Sequence, residues 1–221
     1  QLRTYLLEEG LQEFITCNLI SPDQAKKTSE NTLPASFSIS VLRSRSLDQS
    51  VLRSSLLPGL LQVVKHNYDR ENQDLSGFEI GKIHFHLKGE YIEQSAIGMI
   101  LTGKSSSYHI DPKPRSCDFF DLKGIIENLC SLLHVEPISF SPSHLHNFHP
   151  NRQAVIMCKD SIIGSLGELH PRHNSELGIE QRIYFAEINV EELTPFIKQT
   201  PLVKPLISFP GSQRDWTITI E

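Results

Sequence analysis

The chain has 221 residues, 38% hydrophobic and 21% charged, enough for one substantial core and too apolar for wholesale disorder. Its formal net charge is −5, with 21 Lys+Arg against 26 Asp+Glu, which disfavours a domain that grips nucleic-acid phosphates unaided. No apolar run approaches the roughly 20 residues of a membrane-spanning helix, so no membrane role is expected.

Residues 2–9 read as a short helix with Leu2, Tyr5 and Leu6 on one face, closed by Gly10. Residues 13–20, rich in β-branched and aromatic side chains, predict a strand. Ser21 and Pro22 offer an N-cap and a first-turn proline for a short polar helix. Another strand is expected at 37–42. Residues 55–69 give the clearest amphipathic helix of the first half, with Leu56, Leu57, Leu60, Leu61, Val63 and Val64 near 3.6-residue spacing.

Strands at 78–87 and 91–102 follow, joined by a turn at Lys88-Gly89. Residues 108–116, with Pro112 and Pro114, predict a loop. Asp118 then caps a helix whose face is Leu122, Ile125, Ile126, Leu129, Leu132 and Leu133. Strands are expected at 137–140, 153–158 and 162–168, the last two linked by Lys159-Asp160. A helix from Pro171, a strand over 183–189 and a short helix ending near Lys198 complete the series. Hairpin-joined strands with helices between them imply an α+β fold, a mostly antiparallel sheet flanked by helices.

From 200 to 211 the prolines Pro201, Pro205 and Pro210 read as a linker. The chain opens at Gln1 without a basic-then-apolar leader and closes in the alternating pattern of residues 216–221. Both ends therefore read as cuts in a longer polypeptide, with a domain at 1–199 and the start of another at 200–221. Cys17, Cys117, Cys130 and Cys158 are scattered without a C-x-x-C pair. They read as small buried hydrophobes in a reducing compartment.

The blocks LRSSLLPGLLQVVKHNYDR (52–70), FEIGKIHF (78–85), DFFDLKGIIENL (118–129), FHPNRQAVIMCKDSIIGSLGELHP (148–171) and FPGSQRDWTITI (209–220) stand in an order that resembles the β subunit of bacterial phenylalanyl-tRNA synthetase. The resemblance covers essentially the whole chain. It implies a class II aminoacyl-tRNA synthetase core-like, non-catalytic domain, followed by the start of an anticodon-binding-type domain. It also implies a cytoplasmic setting and a catalytic α subunit as partner, the αβ pair being doubled to a heterotetramer. Through that whole enzyme come phenylalanine tRNA, ATP and magnesium, with no cofactor in this stretch itself.

Adenylate formation develops negative charge on the ATP α-phosphate and needs cations aimed at it. Active class II synthetases carry such an arginine in a segment resembling Gly-x-x-Phe-Arg. The equivalent frame here, Gly81-Lys82-Ile83-His84-Phe85, puts Phe85 at that position. Strand alternation directs Lys82 and His84 elsewhere, and lysine does not replace a bidentate arginine. A second frame, residues 164–179, resembles the catalytic subunit in its Gly, His-Pro and Gly-Ile spacing. Its continuation lacks the expected glycines and carries Glu191 and Glu192 in the region of a nucleotide-binding arginine. Phe85, Glu191 and Glu192 are thus read as lost-site positions, with no catalytic, cofactor-binding or metal residue remaining.

The resemblance makes the helix of residues 56–64 the expected subunit interface, through Arg53, Leu56, Leu57, Leu60, Leu61, Val63 and Val64. Arg53 itself either pairs with a partner carboxylate or caps a neighbouring helix, or is an ordinary exposed arginine. Arg43, Arg45 and Arg53 lie close in sequence and are assigned to a solvated face rather than an RNA-facing edge. His144, His146 and His149 form the one local histidine cluster. It lacks a carboxylate or cysteine to complete a ligand set, so a surface loop is expected, with a metal-dependent hydrolase as the rival. His149-Pro150 and His170-Pro171 read as structural corners. The residues from Ser105 to Ser107 form a loop without a His–acid pair. A stand-alone adenylate-forming ligase using Lys82 and Arg115 is the other rival.

Overall fold

The computed structural model describes residues 1–28, 37–44, 46–106, 110–111, 113–135, 137–198 and 211–219. Arg45, part of the loop at 108–116 and the proline linker at 200–210 lie outside them.

In chain order the elements are α1 (Leu2–Glu8), β1 (Gln12–Glu13), β2 (Leu19–Ile20), α2 (Pro22–Thr28), β3 (Ile39–Ser40), β4 (Val51–Leu52) and α3 (Leu57–Tyr68). They continue as β5 (Leu75–Leu87), β6 (Glu90–Thr102), α4 (Phe119–Leu132), β7 (Ile138–Pro142), β8 (Phe148–Cys158), β9 (Ser161–Leu169), α5 (Pro171–Leu177), β10 (Ile183–Asn189) and α6 (Val190–Leu193). Seven strands form one sheet in the order β1-β5-β6-β10-β9-β8-β7, antiparallel except for the β1–β5 pair. A small sheet, β2-β4-β3, stands apart from it. The fold is α+β, as the hairpins and their intervening helices predict.

Period-two alternation divides the large sheet into two buried faces. Ile97, Met99 and Leu101 of β6 join Tyr184, Ala186 and Ile188 of β10 on one face, under α1 and α4. Ala96 and Ile100, with Ile183 and Phe185, make the other face, under Leu56, Leu57, Leu60 and Val64 of the α3 segment. Each fully buried leucine there contributes roughly 1.5–3 kcal/mol. Gly98 of β6 lets α3 lie close, since a Cβ at that position would stand 3.0 Å from Leu56 Cβ and Leu60 Cδ1.

The turn of the long hairpin is legible in sequence. Leu87 pairs with Glu90, leaving Lys88 (φ 51) and Gly89 (φ 91) as a two-residue turn in the left-handed region. Ser21 caps α2 by accepting the Gln24 N–H at 3.1 Å, while Gln24 Oε1 accepts the Ser21 N–H at 3.2 Å. Asp118 and Asp121 make the same reciprocal arrangement at the start of α4.

Four expectations need correction. The strand read over 13–20 survives as β1 and β2, because Glu79 intrudes between them. Its carboxylate takes the Thr16 N–H (3.2 Å) and hydroxyl (2.7 Å), so the ladder cannot continue. The strand read over 37–42 is the pair Ile39–Ser40, ended by a turn with Arg43 at φ 57. The helix begins at Leu57 rather than Ser55, because Ser55 and the Leu56 N–H are both engaged by Glu187. Of the alternating pattern at 216–221, residues 216–219 hold no strand and 220–221 lie outside the described residues.

Candidate functional site

The α3 face of the sheet opens into a cavity of about 330 Å³. Ile83 and Phe85 enter it from β5, Gln94 and Ala96 from β6, and Glu187 and Asn189 from β10. Glu192 closes one side from α6. Phe85 and Glu192, far apart in sequence, therefore border the same space. Among the described residues that line it there is no lysine and no arginine.

Glu191 turns away from the cavity. Its carboxylate accepts the Ser95 N–H at 2.9 and 2.8 Å. Lys82 lies off the cavity, with its ammonium 3.4 Å from Glu93. His84, also off the cavity, sits 3.7 Å from the same carboxylate, and burial holds its imidazole below the ordinary range. Arg115 is held at the start of α4 by Asp121 and does not reach the cavity. Neither cation of the stand-alone ligase reading, Lys82 or Arg115, lines the cavity.

Beneath the cavity runs a buried polar network that sequence reasoning missed. Arg53 is 1% exposed and its guanidinium meets Glu79 at 2.8 Å, Thr16 Oγ1 at 2.7 Å and the Lys82 carbonyl at 3.0 Å. Glu79 is 2% exposed, so both charges are matched inside the fold. Gly81 admits this arrangement, because a Cβ there would lie 2.5 Å from Arg53 Nη2. Glu187, 7% exposed, accepts the Ser55 hydroxyl at 2.9 Å and the Leu56 N–H at 2.6 Å through Oε2. Burial pushes its carboxyl up to about 7, against the opposing pull of those donors and of Arg53. The available signal was a lone glutamate in each of two apolar strands, FEIG and YFAEI, since a carboxylate buried that way needs donors.

These contacts correct the interface expectation for the 56–64 helix. Leu56, Leu57 and Leu60 are 0% exposed, Val64 and Arg53 1% and Leu61 7%, all within this chain alone. Their side chains are consumed by the chain's own sheet, with Val63 partly buried beside them. Arg53 is neither exposed nor available to a partner.

The histidines of the 144–149 loop do not converge. His144 and His146 are exposed, and His149 Nδ1 accepts the Asn151 N–H at 3.2 Å. No group of three His, Cys, Asp or Glu side chains able to hold a metal ion occurs among the described residues. His170 caps α5, its Nδ1 accepting the Arg172 N–H at 3.2 Å. Buried His173 stands 2.9 Å from Asn147 Oδ1, and burial pushes it down to about 4. Cys117, Cys130 and Cys158 are buried and Cys17 is exposed, all as free thiols. No described helix is long and apolar enough to cross a membrane.

Residues 1–190 match the family model described as the phenylalanyl tRNA synthetase beta chain CLM domain. The phenylalanine–tRNA ligase beta subunit of Protochlamydia amoebophila is 47% identical over 221 residues, 100% of this chain and 28% of that protein. That of Chlamydia caviae is 33% identical over 219 residues, 98% of this chain and 27% of that protein. The chain thus spans little more than a quarter of such relatives. Among solved structures, a pyrrolysyl-tRNA synthetase of Desulfitobacterium hafniense superposes with a TM-score of 0.65 at 13% identity, covering 87% of this chain and 65% of that one. That likeness speaks for the fold, which is of the class II synthetase type.

Proposed function

The chain belongs to the phenylalanyl-tRNA synthetase beta chain CLM family, and from that premise we propose that it is a non-catalytic module that supports the catalytic α subunit of a phenylalanine–tRNA ligase. The observation that carries this reading is the cavity bounded by Phe85 and Glu192 without a described cation. Charge developing on a transferred phosphate would meet an aromatic ring and carboxylates there, so the transition state of adenylate formation gains nothing from this cleft. What the module supplies instead is a rigid sheet buried on both faces, a body against which a partner's site can be held in register. In this reading ATP, magnesium and phenylalanine tRNA belong to the whole enzyme. That enzyme is an αβ pair doubled to a heterotetramer, working in the cytoplasm. Because the α3 stripe is already buried, the partner-facing surface lies on other parts of the module.

Co-expression with the cognate α subunit tests the reading. The two chains should purify together, and phenylalanine-dependent ATP–pyrophosphate exchange should require the α subunit. Exchange by this chain alone, or an α subunit fully active without it, would reject the assignment.

A further inference from the structure

Helix α4 gives one side to the sheet, where Leu122, Ile126, Leu129 and Cys130 are buried. On its outer side Phe120, Gly124 and Asn128 follow one another at four-residue steps, which lines them up along one ridge. Phe120 is 73% exposed. Gly124 is a poor residue for the middle of a helix, and the chain's own packing does not call for it: no described atom stands within 4 Å of a Cβ placed there. Beside the ridge, between α4 and the end of α1, lies a hollow of about 340 Å³ bordered by Gly124, Ile125, Asn128, Glu9 and Leu11. A single exposed aromatic is ordinary on a protein surface. Here a projecting ring, a bare stretch of helix backbone and a hollow adjoin one another on one patch.

We propose that this ridge of α4 is a contact between two copies of this chain, the two helices crossing antiparallel at Gly124 about a two-fold axis. Phe120 and Asn128 stand four residues before and after Gly124. A two-fold through Gly124 therefore sets Phe120 of each copy over Asn128 and the hollow of the other, so that one patch supplies both the knob and its socket. With no side chain at the crossing, the two backbones can approach more closely than the usual distance of about 8–10 Å. Charge does not oppose the pairing. The same axis brings Glu127 of one copy to Asp121 of the other, and each is already matched within its own chain, by Lys123 and by Arg115. A pair of 14-residue helices covers less than the roughly 1,600 Å² of a standard interface, so the dimer is weak. The contact involves no α subunit, and its failure would leave the assembly reading as it stands.

Sedimentation velocity of the purified chain over about 1–500 µM tests the pairing. The parent protein should show a reversible monomer–dimer equilibrium with a Kd on the order of 100 µM. Phe120→Ala alters an exposed position, and the side chain of Gly124→Leu enters open space in the monomer, so both variants should fold. Each should weaken the dimer at least about tenfold. Gly124→Ala should move two readouts in opposite directions. Its urea midpoint should rise, because alanine is the better helix former, while its dimer weakens, because a methyl group now stands between the backbones. A merely structural glycine would lower the midpoint instead. Amide shifts that depend on concentration should fall on residues 120–128 and 9–11. A parent protein still monomeric at about 500 µM, a dimer undiminished in Gly124→Leu or Phe120→Ala, or amide shifts confined to another face would overturn the pairing. So would a Gly124→Leu chain that keeps its dimer but no longer purifies with the α subunit, which would give the ridge to that partner.

Discussion

Glu187 and His173 are both buried, and burial acts on them in opposite senses. The Glu187 carboxyl is raised from 4.5 to about 7, so the folded state holds a proton that the unfolded chain has released. Its contribution is complete below pH 4.5 and is lost as pH rises through about 7. His173 is lowered from 6.5 to about 4, so its contribution is present above pH 6.5 and is lost as pH falls through about 4. Between roughly pH 4.5 and 6.5 the two slopes, each on the order of 1 kcal/mol per pH unit, oppose one another. Urea denaturation at several pH values should separate them. Relative to the parent protein, Glu187→Gln should gain stability as pH rises through that window, and His173→Gln should lose it. Parallel curves for the parent and both variants would show that neither group titrates as its burial implies.

At the scale of elements, helix α4 shows how local chemistry sets a boundary. Asp118 accepts the N–H groups of Phe120 (2.7 Å) and Asp121 (3.1 Å), and Asp121 Oδ2 accepts the Asp118 N–H at 2.8 Å. Asp118→Ala removes half of that box and should cost about 1 kcal/mol in chemical denaturation, with the denaturant slope unchanged. A loss near zero would mean that Arg115 and tertiary packing already fix the helix start. Signals of this local kind were the ones legible in sequence: the caps at Ser21 and Asp118, the Lys88-Gly89 turn, and the apolar run of the strand at 183–189. The failures were tertiary. Residues 13–20 have strand composition, yet the decisive partner is Glu79, more than sixty residues away in sequence. The stripe of Leu56 to Val64 showed that one face of the helix must be buried, but periodicity is silent on whether the burying surface is the chain's own sheet or another subunit. At the cleft, Phe85 and Glu192 were singled out through the family resemblance, and the fold brings the two to one cavity. The Arg53–Glu79 pair and the Glu187 contacts to Ser55 and Leu56 required coordinates, because each joins segments that meet only in the folded chain.

For the molecule as a whole, charge and architecture bear on the same question. The sheet is covered on one face by α1 and α4 and on the other by α3, and the cavity bordered by Phe85 lies on the α3 side. The chain carries a net −5, so long-range attraction offers a triphosphate no help in reaching that concavity. Restoring one cation should not be enough. In Phe85→Arg the new guanidinium would arise on a strand position 7% exposed, between Glu187 and Glu192, and those carboxylates would pair with it before a phosphate could. Calorimetric titration with ATP and magnesium should therefore give no saturable heat up to about 1 mM for the parent protein or for Phe85→Arg. Converting Glu192 to Gln in the same background removes one of the two competing carboxylates, and it is the combination in which weak nucleotide binding should first emerge. Saturable binding by the parent protein would instead mean that cations outside the described lining reach the cleft, and would reject the reading of Phe85 and Glu192 as lost-site positions.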